Sequence, residues 1–139
     1  MGNKTADCLM HEESTHYALP LVGREIDQIC VDYAVTLVIE GTDTVRLESP
    51  FTVFIDGRTY VVDPERIHTV AVVLELHRAV VTRAEAGKDG TLHLAFDEDR
   101  WLHADPIEDG EAWEIGGGLP PVTPCYLIAA EPGGGLRLG

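Results

Sequence analysis

The chain has 139 residues, 45% hydrophobic and 24% charged, with a formal net charge of −14. That length suits one domain with a single core, and the ordinary apolar share excludes a disordered chain. The acidity argues against nucleic-acid binding, whose affinity comes from basic side chains meeting phosphates.

No apolar run approaches the roughly 18 residues of a membrane span, and the first residues lack the basic and apolar stretches of a signal peptide. A cytoplasmic protein away from membranes is expected. Cys8, Cys30 and Cys125 are odd in number and far apart, which suggests neither a disulfide framework nor a zinc knuckle.

Residues 1–19 show no sustained period and read as a poorly ordered arm ahead of a single domain over 20–132. Cys8, His11 and His16 in that arm lack the spacing of a helical or knuckle-type metal site. From Ile29 the odd positions Val31, Tyr33, Val35, Leu37 and Ile39 are apolar, with Asp32, Thr36 and Glu40 between them. This predicts one long strand buried on one side. Val45, Leu47, Phe51, Val53 and Ile55 resume the alternation after a turn at 41–44. Pro50 removes a ladder donor and predicts an edge or a bulge. Asp56-Gly57 is a strong hairpin signal, because a type I′ turn needs positive φ at both central positions. It sets Phe51 against Val62 and Val53 against Tyr60, which completes a three-stranded meander.

The one segment with a helical period follows. Asp63 is a good N-cap and Pro64 suits the first helical position. Ile67, Val70, Ala71 and Leu74 then fall at i, i+3, i+4 and i+7, with Val73 widening the stripe. A helix over Asp63–Leu76 is predicted, too short to stand alone and so docked on the sheet through Ile67, Val70 and Leu74. Ala79 to Ala86 reads as a strand with Val80, Thr82 and Ala84 on one face. Residues 87–90 turn it into Leu92, Leu94 and Phe96. A three-residue loop then sets Phe96 against Leu102 and Leu94 against Ala104, chosen over a two-residue turn because it keeps the apolar residues on one face. Ala112, Trp113 and Ile115 suggest a further strand. Gly116 to Gly118 and Pro120-Pro121 make a loop, Tyr126 to Ala130 a last strand, and 133–139 a Gly-rich tail. The fold class expected is α+β, mainly an antiparallel β meander with one amphipathic helix packed on the sheet.

Chemistry is thinly supplied. Ser14 and Ser49 lie in no G-x-S-x-G elbow, and no glycine run opens a helix or precedes Lys-Ser/Thr as phosphate cradles do. Cys125 lacks the electropositive setting of a reactive thiol. His93 and His103 point away from the core on neighbouring strands, in a diagonal relation, and with Asp105 could make an N/N/O metal site; solvent-facing histidines are the simpler reading. His68 and His77 are nine apart and out of phase. No cofactor is expected. Between Asp97 and Glu114, eight acids (Asp97, Glu98, Asp99, Asp105, Glu108, Asp109, Glu111, Glu114) face Arg100 alone, which accounts for half of the net charge. A solvated face is the plain reading, and a docking surface for a basic partner the sharper one. The spacing of these acids is not that of an EF-hand, so only weak divalent binding is expected. Trp113 reads as a core anchor or as a recognition residue beside the acidic segment.

The runs 23–29 (Gly-Arg-Glu-Ile-Asp-Gln-Ile) and 31–34 (Val-Asp-Tyr-Ala), with Glu48-Ser49-Pro50-Phe51, Asp63-Pro64-Glu65, Leu76-His77-Arg78 and Glu111-Ala112-Trp113-Glu114, recur in a familiar order. The chain resembles a family of small bacterial proteins catalogued only as a domain of unknown function, over roughly Val22 to Ala130. It departs from that pattern at Asp97 to Arg100, where a Gly would follow the acids. The resemblance implies no reaction, cofactor or catalytic residue.

The function expected is therefore non-enzymatic binding: an acidic immunity-type or inhibitor partner of a basic protein, with Asp97, Glu98, Asp99, Trp101, Glu108, Asp109, Glu111 and Trp113 as candidate contacts. The alternative is a small-ligand domain with an apolar pocket between helix and sheet, lined by Tyr33 and Tyr60.

Overall fold

Runs of alternating apolar and polar residues fill most of the chain, and nearly every one becomes a strand with its apolar face turned inward. The computed structural model describes residues 10–117 and 126–139. Cys8, Cys125 and the Gly118 to Pro121 part of the expected loop lie outside them. The strands are β1 (His11–Glu12), β2 (His16–Ala18), β3 (Ile26–Val31), β4 (Val35–Ile39), β5 (Asp43–Leu47), β6 (Phe51–Ile55) and β7 (Arg58–Val62). They continue as β8 (Val81–Gly87), β9 (Leu92–Phe96), β10 (Arg100–Ala104), β11 (Trp113–Gly117), β12 (Tyr126–Ala130) and β13 (Leu136–Leu138). All pairings among them are antiparallel.

They form a seven-stranded sheet in the order β1-β2-β8-β9-β10-β6-β7 and a six-stranded sheet in the order β13-β12-β11-β5-β4-β3. The inner faces of both share one core, which includes Leu37, Val45 and Ile115 from one sheet and Val53, Leu94 and Leu102 from the other. Backbone bonds between Gly23 to Ile26 and Ala79 to Val81 tie the sheets together ahead of β3 and β8.

Three expectations change here. The long strand from Ile29 is a hairpin: the Asp32 carboxylate accepts the Ala34 N–H at 2.9 Å and folds the chain back at 32–34. Tyr33, expected in the core, stands 90% exposed at its tip. The meander also breaks at Pro50, where the chain leaves β5 in one sheet and enters β6 in the other. A residue with no N–H to donate suits the crossing between two ladders. The expected arm contributes β1 and β2, the latter paired with β8, and the expected tail contributes β13.

The α+β class fits, with one short helical stretch at 67–76, but that stretch is not the predicted amphipathic α-helix. Its bonds run from residue i to i−3, as in Val70 N–H to Ile67 O (3.0 Å), Val73 N–H to Val70 O (2.9 Å) and His77 N–H to Leu74 O (3.1 Å). With three residues per turn, positions three apart eclipse. Val70, Val73 and Leu76 form a buried row at that spacing, while Ile67, at the start of the stretch, and Leu74 are 65% and 62% exposed. The stretch packs against both β3 and β7.

Candidate functional site

The hairpin turns place the candidate residues. At the β6–β7 turn Asp56 and Gly57 have φ of 52° and 77°, and the register is the one expected, with Phe51 opposite Val62 and Val53 opposite Tyr60. The β9–β10 loop has three residues, as expected, but sits one position earlier: Phe96 faces Arg100, Leu94 faces Leu102 and Leu92 faces Ala104. Glu98 and Asp99 both take positive φ, which Asp tolerates better than most residues. Asp97 anchors the loop. Its carboxylate accepts the Val80 N–H (3.2 Å) and the Arg100 guanidinium (2.7 Å), while Arg100 also donates to the Glu75 carbonyl at 2.8 Å. These bonds, the Val80 N–H first, hold the Asp97 carboxyl below its ordinary range.

Moving the loop by one residue preserves the apolar face but changes the outward one. His93 and His103 are directly opposite, not diagonal, with ring centres 6.0 Å apart. Trp101 lies opposite Phe54 across β10 and β6, stacked at 5.3 Å between centroids with planes 3° apart. Its indole also meets His93 at 6.0 Å. Burial, then the charges of His103 and Arg83, lower the His93 pKa, with Glu85 opposing them. His103 Nε2 lies 3.0 Å from Asp105 Oδ1.

The acidic segment divides. From Trp101 two residues back is Asp99, and from Phe54 two residues on is Asp56, so the two hairpin tips lie side by side beyond the aromatic stack. Asp56, Glu98 and Asp99 are all exposed there. Glu108 and Asp109 turn the chain past the other end of β10, about 17 Å away for five strand residues. Glu111 is held by Arg137 at 2.6 Å, and Glu114 lies 3.8 Å from the same guanidinium. Trp113 is fully buried, its Nε1–H donating to the Gly90 carbonyl at 3.0 Å. It offers no surface to a partner, because an indole this large on an inward strand position fills the core. Phe54 and Asp56 join these candidates only through the strand pairing. The available signal was an aromatic at an outward position of the alternation, next to a turn acid.

The pocket expected near Tyr33 and Tyr60 is not lined that way, since Tyr33 stands in solvent and Val73 and Leu76 are fully packed. A shallow, open depression of about 570 Å³ lies instead near β2, β8 and β9, lined by polar groups including His16, Glu85, Lys88 and His93. Among the described residues no three His, Cys, Asp or Glu side chains converge as a metal cage. No helix in the described residues is long and apolar enough to cross a membrane.

Residues 17–138 match the family of unknown function DUF6188. The chain belongs to that family. No curated protein and no solved structure matches it. The DUF6188 span begins within β2 and ends on the last residue of β13, so it takes in both sheets and is wider than the resemblance read from motifs.

Proposed function

We propose that this DUF6188 chain is a non-enzymatic binding protein that docks a basic protein on the outer face of its seven-stranded sheet, as an acidic inhibitor or immunity-type partner would. The observation that carries the reading is the Phe54–Trp101 stack beside the paired tips of Asp56, Glu98 and Asp99. Aromatic side chains on a rigid strand pair provide desolvated anchor area at low entropic cost, and a rim of like charge steers an oppositely charged partner into place. The net charge of −14 acts in the same direction at longer range. Glu108, Asp109 and Glu111 fall outside this contact in the reading. Trp113 serves the core.

The test is affinity capture followed by binding kinetics with the purified partner. Trp101→Ala should speed dissociation, and Glu98→Gln with Asp99→Asn should slow association most at low salt. Rates that neither Trp101→Ala nor the double variant alters would remove this face from the interaction.

A further inference from the structure

We propose that His93 and His103 form a chelate for one divalent transition-metal ion of the zinc, nickel or copper class on the outer face of the seven-stranded sheet. This goes beyond the docking reading and does not depend on it. The two residues are paired across β9 and β10, on the face opposite the buried Leu92, Leu94, Leu102 and Ala104. Two imidazoles that share one ion through nitrogens about 2.0 to 2.1 Å from it have ring centres roughly 5 to 6 Å apart. The observed separation is 6.0 Å. The strand pairing already fixes the backbones, so a shared ion requires only that the side-chain bonds rotate.

The surroundings suit a ligand pair. Asp105 Oδ1 lies 3.0 Å from His103 Nε2. A carboxylate that takes the Nε2–H of a neutral imidazole leaves the Nδ1 lone pair free and makes it more basic, which is the usual second partner of a metal-bound histidine. Glu85 lies directly across β8 from His93 and contributes negative charge beside the pair. Both rings remain partly exposed, so an ion can enter without opening the fold. With two protein ligands, water completes the coordination, and imidazole nitrogen favours zinc, nickel and copper over magnesium or calcium. No three protein ligands converge, so the proposed site is an open one and not a structural cage.

The test uses the full chain without a histidine tag. Zinc is titrated calorimetrically at neutral pH into the wild type and into His93→Phe, His103→Phe and His68→Phe. The expected result is one saturable equivalent in the wild type and in His68→Phe, weakened at least about tenfold in each of the other two. A parallel measurement needs no variant: paramagnetic nickel should broaden the imidazole resonances of His93 and His103 before those of His11, His68 and His77. Absence of saturable zinc binding, unchanged binding in either His93→Phe or His103→Phe, or broadening that begins at other histidines would overturn the proposal.

Discussion

The indole of Trp101 and the phenyl ring of Phe54 lie nearly parallel, 5.3 Å between centres, on residues directly opposed across β10 and β6. Forty-seven positions separate them in the chain, so this contact exists only because the chain crosses between sheets at Pro50 and β6 later receives β10. A cross-strand aromatic pair adds about 0.5–1.5 kcal/mol beyond its buried area. A double-mutant cycle of Phe54→Ala and Trp101→Ala in urea unfolding should return a coupling in that range. Coupling near zero would mean that the rings do not stack in solution.

The helical stretch gives a sharper contrast. Leu76 is fully buried and Leu74, two residues earlier, is 62% exposed. Leu76→Ala should cost about 2–5 kcal/mol and Leu74→Ala under about 0.5 kcal/mol. An α-helical stripe as read from the sequence requires the opposite ranking, so chemical denaturation of these two variants distinguishes the geometries.

Trp113 should respond to loss of its hydrogen bond as well as to loss of volume. Trp113→Phe leaves the Gly90 carbonyl without its 3.0 Å donor in a buried setting, a penalty of about 1–3 kcal/mol before any cavity term. Equilibrium unfolding of this variant should therefore show a midpoint well below the wild type. Binding of a basic partner by whatever variant remains folded should be unaffected, because the side chain does not reach the surface.

Asp97 sets an acid dependence. Its carboxyl is held below its ordinary value by the Val80 N–H first and by Arg100. Its stabilising contribution is therefore fully present above the unfolded-state value of about 3.9. It is lost as pH falls through the lower folded-state value. Wild type should exceed Asp97→Asn in stability at pH 6, and the gap should narrow as pH is taken to 3. A gap constant over that interval would show that the carboxylate charge is not what secures the loop.

Much of the local structure was written in the sequence. Alternation located the strand at Phe51–Ile55 and the one at Leu92–Phe96, and a short apolar run the one at Tyr126–Ala130. Asp56-Gly57 determined its own hairpin and register, because positive φ at two adjacent positions is a property of those residues and their immediate neighbours. The acid-rich composition was likewise a matter of counting charges.

What needed the tertiary structure was everything decided by partners far along the chain. Alternation is the same on either side of Asp32–Ala34 and on either side of Pro50, so periodicity could not tell one strand from two, nor say which sheet each joins. The stretch at 67–76 could satisfy its backbone with either helical spacing. The burial of Val70, Val73 and Leu76 goes with a period of three, and that row packs where β3 and β7 flank it. The same non-local pairing put Phe54 and Asp56 beside Trp101 and Asp99, and set Glu108 and Asp109 at the far end of β10. Side-chain spacing along one strand is fixed by covalent geometry, whereas neighbours across a sheet are chosen by how the whole apolar surface can be buried at once.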